Sequence, residues 1–188
     1  MQNAILLHGS CEKEEYFDDK YPSLSNSHWL PWLQKQLLIR GIHAEIPEMP
    51  DAYLPNYNKW AKKFEIFDIN EETILVGHSC GGGFLLRWLT ENKVKVGNVV
   101  LVAPWLDPER SKTVSFFKFK IDPNVIMRSS KLKVFVSSDD EDDVLVSVKQ
   151  IQEAIPNIFV RRFQGLGHFT EGEMRRKDFP EILEELFN

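Results

Sequence analysis

Residues 73–88 read TILVGHSCGGGFLLRW and leave few ways for the chain around them to fold. Thr73, Ile74, Leu75 and Val76 form a short apolar run rich in β-branched residues and closed by Gly77, which predicts a buried strand. A helix is expected from Gly81 to Leu89. Between them lies Gly77-His78-Ser79-Cys80-Gly81, which fits G-x-S-x-G. In that pattern the serine sits at the tip of a tight strand-to-helix turn, in a strained conformation that lifts its hydroxyl above the sheet edge. Glycines two residues to either side let neighbouring chain approach without a Cβ clash. The bland alternative is a glycine-rich loop with Ser79 as a helix N-cap. A dinucleotide or phosphate loop fits worse, because Leu86 stands where a third glycine is needed after Gly81 and Gly83.

Other segments repeat the alternation of strand and helix. Asn3 to His8, Ile42 to Ile46, Val96 to Ala103, Lys131 to Ser138 and Asn157 to Phe163 read as further strands. Helical spacing is expected over His28 to Arg40, Asn56 to Ile69, Val144 to Ile155 and Asp178 to Phe187. Ser10 to Ser27 is polar and irregular, and Pro104 to Ser130 has no clear period. Apolar strands alternating with helices imply one domain over residues 1–188, an α/β fold with a mostly parallel sheet of about six strands and helices on both faces. In such sheets reactive groups gather at the carboxyl ends of the strands.

Composition narrows the partners. A net charge of −5 argues against nucleic-acid binding, which needs clustered Lys and Arg to neutralise phosphates. No run of 18 apolar residues suggests a membrane span, and the first ten residues lack a signal-peptide pattern. A reducing, cytoplasmic setting is therefore expected. Two cysteines, Cys11 and Cys80, are too few for a disulfide framework, and no Cys/His spacing indicates a metal.

A serine hydroxyl needs a base within hydrogen-bond reach and a third group to orient that base. His168 follows the last expected strand among small residues, in FQGLGHF, and is the candidate base. The orienting acid should follow an earlier strand, and KLKVFVSS runs into Asp139-Asp140-Glu141-Asp142-Asp143. Asp140 is preferred, with Asp139 next, although most of this run also suits a solvated helix N-terminus. The order Ser79, Asp140, His168 is that of α/β-hydrolases. Oxyanion donors are expected from the backbone N–H groups of Cys80, after the serine, and Ser10, after the first strand. His8 and His78 are expected to pack beside the turn. Trp105, Phe116, Phe117 and Phe169 are candidate walls for a small apolar acyl group.

With these residues in view the chain resembles the YdeN-like, or retinoblastoma-binding-protein-nine-like, serine hydrolases. The resemblance rests on LLHGS, HWLPWLQKQL, IPEMPD, TILVGHSCGG, VVLVAPW, VFVSSDD and GLGHF, and covers nearly the whole chain. It implies a compact α/β-hydrolase without a large lid domain, no cofactor, and a triad carried by Ser79, Asp140 and His168. The expected partner is a small-molecule acyl substrate. Two other readings stay open. Glu12, Glu14 and Glu15 suit an aminopeptidase-like or aminoacyl-ester hydrolase, since carboxylates bind a substrate ammonium. The fold also suits a non-catalytic interaction protein.

Overall fold

The computed structural model describes residues 2–113 and 115–187. Among the described residues six strands form one sheet: β1 (Asn3–Leu7), β2 (His43–Glu45), β3 (Ile74–His78), β4 (Val96–Val102), β5 (Ser129–Ser137) and β6 (Phe159–Phe163). Their order is β2-β1-β3-β4-β5-β6, and all five neighbouring pairs are parallel. Parallel neighbours need a crossover, and α1 (Lys13–Phe17), α2 (Leu30–Ile39), α3 (Tyr57–Phe64), α4 (Cys80–Asn92) and α5 (Asp142–Ala154) lie in these connections. Two more helices, α6 (Glu171–Met174) and α7 (Pro180–Phe187), follow the last strand. Among the described residues no helix is long and apolar enough to cross a membrane.

The direction of travel decides which face each helix covers. From β1 to β2 the chain steps one way, and every later connection steps the other way, so right-handed crossovers put α2 opposite α3, α4 and α5. Ring contacts agree with that division. On the first face Trp29 meets Phe179 at 5.6 Å and the Arg40 guanidinium lies over Phe187 of α7. On the second, Phe64 of α3 meets Trp88 of α4 at 4.9 Å and Trp60 meets Phe84 at 5.6 Å.

Burial explains the strand sequences. All five residues of β3 are buried, as are most of β4 and β5, because both faces of the central strands are covered. Edge strand β6 instead has only partly exposed and exposed positions. Helix α4 is closest to the core, with Phe84, Leu85, Leu86, Trp88 and Leu89 buried, each contributing about 1.5–3 kcal/mol of transfer free energy. It follows that the turn before α4 is anchored at both ends by packed elements.

Three segments depart from the sequence expectation. The stretch from Ser10 to Ser27 contains α1 and a short 3-10 turn at Leu24–Asn26, too brief for hydrophobic periodicity to register. Helix α3 ends at Phe64 rather than at Ile69, where Phe67 N–H closes a tight turn on the Phe64 carbonyl. Before β5 the chain forms a 3-10 segment, Pro123–Arg128, fixed by the Asp122 carboxylate accepting from Asn124 N–H at 2.9 Å. Strand order reverses between β1 and β3, and a crevice forms there at the carboxyl ends of the strands.

Candidate active site

Ser79 joins β3 to α4 with φ 53° and ψ −122°, a conformation that non-glycine residues rarely adopt. The chain holds it there by three hydrogen bonds. Ser79 N–H donates to Val102 O at 2.9 Å, and Ser79 O accepts from Gly83 N–H and Trp105 N–H, each at 3.1 Å. The flanking glycines are a steric necessity. A Cβ at Gly77 would lie 2.6 Å from Gly81 O, and one at Gly81 would lie 2.4 Å from His8 O. The strain at Ser79 is thus locked in by backbone on both sides.

His168 follows β6, and its Nδ1 lies 2.8 Å from Asp140 Oδ1. A carboxylate accepts, so Nδ1 carries the proton and Nε2 is left with its lone pair. Asp140 has no exposed side-chain surface, and its Oδ1 also accepts from Glu141 N–H at 2.8 Å. Burial pulls the His168 pKa down, yet the hydrogen bond and charge of Asp140, with smaller help from Glu141 and Glu173, lift it above the ordinary histidine value.

Asp139 has a different place. Its Oδ1 accepts from Gly165 N–H at 2.9 Å and its Oδ2 from Gly167 N–H at 3.3 Å, while the Ser137 hydroxyl also donates to it. These contacts, that of Ser137 first, hold its carboxyl below the usual carboxylate range. Of the two neighbouring aspartates, one faces the imidazole and the other grips the loop that carries it.

Ser79 and His168 line the same cavity, of about 430 Å³, together with Ser10 and Trp105. Cys80 is the first residue of α4, where helix geometry leaves an N–H without an intrahelical acceptor. Its thiol is fully buried and hydrogen-bonded to Ser10, and burial pushes its pKa up.

The aromatic wall expected from the sequence is mostly elsewhere. Only Trp105 of the four candidates lines this cavity, with its indole N–H donating to Asp143 Oδ2 at 2.7 Å. Phe116 is buried against Tyr57, Trp60 and Phe84, and Phe169 against Phe163 and Phe179. Phe117 packs on Trp105 and lines a separate cavity of about 310 Å³. Large rings gain more from full burial than from a polar cleft, which is why these three retreat into or beneath the loops. The cavity wall is instead rich in carboxylates: Glu12, Glu15, Glu141 and Asp143, against the single lysine Lys112 among the described residues. Glu14, expected beside Glu12 and Glu15, points to solvent and is not on the wall.

The two histidines expected to pack beside the turn do so with defined bonds. His8 is buried, accepts from Met49 N–H at Nε2 (2.8 Å) and donates from Nδ1 to Gly9 O (2.7 Å), and burial lowers its pKa. His78 Nε2 lies 2.7 Å from the His168 carbonyl. His28, expected only as the start of a helix, instead precedes α2 with φ 58°, meets the His78 ring edge-on at 5.6 Å and accepts from Glu171 N–H at 3.2 Å. Nothing in its local sequence signals this, because the contact spans 143 residues.

Comparison with known proteins shows the family and the fold. The family model described as "serine hydrolase" matches residues 21–183. The Bacillus subtilis hydrolase YdeN is 30% identical over 172 residues, covering 86% of this chain and 88% of its own. The crystal structure of the ydeN gene product superposes with a TM-score of 0.80 at 24% identity, covering 100% of this chain and 99% of that one. Est1E from Butyrivibrio proteoclasticus, solved with ferulic acid bound, superposes at 0.64 with 11% identity over 99% of this chain and 86% of that one.

Proposed function

We propose that this protein, which belongs to the serine hydrolase family, cleaves a small ester, thioester or amide through an acyl-enzyme on Ser79. The observation that carries the reading is that His168, oriented by Asp140, opens on the cavity that Ser79 also lines. His168 Nε2 takes the Ser79 proton as the oxygen attacks the carbonyl. The same proton is then delivered to the leaving group, and water repeats the sequence to release the acid. Backbone N–H groups of Cys80 and Ser10 receive the developing oxyanion, each worth roughly 10²-fold or more in rate.

The role of His168 as base fixes the sign of the pH dependence, and the direction of its shift fixes on which side of 6.5 the midpoint falls. Catalysis needs unprotonated Nε2, so activity is lost as pH falls through the His168 pKa, which lies above the ordinary 6.5. Turnover of a simple nitrophenyl ester should therefore rise along a single limb with a midpoint above that value. A rate that stays level from about pH 5 to about pH 9, with chemistry limiting, removes His168 from the role.

A second reading has a specific support. The carboxylates of Glu12 and Glu15 stand on the wall of the cavity that holds Ser79, as a substrate with a free ammonium group requires. In that case the double substitution Glu12→Gln with Glu15→Gln lowers kcat/KM for an aminoacyl ester, relative to its acetyl-capped form, by roughly 3- to 10-fold. An unchanged ratio leaves the neutral acyl substrate as the better description.

A further inference from the structure

His78 precedes Ser79 at the end of β3 and is almost sealed from solvent, with 3% of its surface exposed. A histidine in such a place is costly unless its polar atoms find partners. The bond it makes runs from Nε2 to the His168 carbonyl oxygen, at 2.7 Å. A carbonyl only accepts, so Nε2 is the protonated nitrogen. Burial, then the nearby His168 and His28, push the His78 pKa well below the usual range, and the ring is neutral. Its N–H is therefore spent on the backbone of the residue that carries the base.

The loop around His168 needs such a tie. Gly165, Gly167 and Phe169 all have positive φ, of 71°, 50° and 58°, so the chain turns sharply on both sides of His168. Glycine adopts such φ freely, so the strain falls on Phe169, whose backbone persists there only where its surroundings over-determine it. The His168 N–H donates to Glu173 Oε2 at 2.9 Å, and the same oxygen accepts from the Thr170 hydroxyl at 2.7 Å. Asp139 holds the N–H groups of Gly165 and Gly167. Both carboxylates face solvent, where water competes for every bond they make. His78 pulls on the carbonyl from the interior, where water does not compete. Its ring is fixed in turn by edge contacts with Trp29 at 5.8 Å and His28 at 5.6 Å.

We propose that His78 is a positioning residue for the base: by donating from Nε2 to the His168 carbonyl, it ties the histidine-bearing loop to the strand end that carries Ser79. Since His78 and Ser79 are consecutive, one residue sets nucleophile and base in register. This role rests on the reading of Ser79 and His168 given above. It differs from mere packing because it requires a donor at one point on the ring. An apolar side chain of similar size fills the space and loses the tie.

The test compares His78→Leu with His78→Gln, whose amide nitrogen reaches about as far as Nε2. Acyl-enzyme formation from a nitrophenyl ester is followed by rapid mixing, alongside thermal melting and KM. Loss of the tie displaces the base, so His78→Leu should acylate about 10- to 100-fold more slowly than the wild type, with KM within about 2-fold. His78→Gln should recover most of that loss. A folded His78→Leu protein that acylates at the wild-type rate overturns the proposal, and so do Leu and Gln variants that are equally slow. Should His78→Leu fail to fold, His78→Asn replaces it: its shorter amide cannot reach the carbonyl, and a rate equal to that of His78→Gln overturns the tie. A wild-type protein that forms no acyl-enzyme overturns the catalytic reading as well, whereas a reactive wild type beside an unaffected variant overturns only the tie.

Discussion

Asp140→Asn is expected to reduce kcat by about 10³- to 10⁴-fold while the protein stays folded. The reason is the tautomer. Asp140 Oδ1 accepts from His168 Nδ1, and this leaves Nε2 free to receive a proton. An asparagine turned to present its NH₂ to the ring would place the ring proton on Nε2, facing Ser79, and the base would no longer be a base. The charge is lost as well. Asp140 is the chief influence raising the His168 pKa against burial, so the acidic limb of whatever activity remains should move to lower pH. Stability follows the same linkage. Because folding raises the His168 pKa, the pair stabilises the fold fully below the unfolded value of about 6.5 and loses that contribution as pH rises through the folded value. The variant should therefore lose stability in acid more than in alkali. Asp139→Asn provides the contrast, since Asp139 touches the loop backbone and not the imidazole. An equal fall in kcat for the two variants would refute the division of roles between these neighbours.

Ser79→Ala carries a larger expected loss, with kcat falling by about 10⁶-fold, equivalent to about 8 kcal/mol of transition-state stabilisation. Stability should change in the other direction or hardly at all. The Ser79 backbone is pinned by Val102, Gly83 and Trp105 through main-chain bonds that alanine retains. The positive φ is a cost that both residues bear. A variant that melts as the wild type does but turns over nothing would separate the hydroxyl from the fold. Retention of more than about a hundredth of wild-type turnover would mean that another group attacks the substrate.

The sheet was legible because burial leaves a mark on sequence. Strands β1, β3, β4 and β5 are covered on both faces along most of their length and read as mostly apolar runs, and each lies within two residues of its expected position. The strained turn at Ser79 was legible through a motif whose glycines are required because a Cβ at Gly77 or Gly81 would lie within 2.6 Å of neighbouring backbone oxygen. The aspartate that meets the imidazole was harder to single out, because five consecutive acidic residues look alike in one dimension. Only the fold distinguishes Asp140, which is buried against the imidazole, from Asp139, which is exposed and turned to Gly165 and Gly167. The cavity wall was least legible. Phe116 and Phe169 are apolar enough for either a pocket or the core, and their destination depends on tertiary contacts, Phe116 with Trp60 and Phe169 with Phe179, that no local period encodes. For the same reason the tie from His78 to His168 left no local signal, since it joins residues 90 positions apart.

The proposed role of Ser79 is that of a nucleophile made reactive by His168. Treating the purified protein with a fluorophosphonate and recording its intact mass tests this without knowledge of the substrate, since the reagent modifies serines that a neighbouring base activates. One adduct per chain is expected in the wild type, none in Ser79→Ala, and labelling slowed by orders of magnitude in His168→Ala. A folded wild-type protein that takes up no label, or one labelled equally well after Ser79→Ala, would contradict it.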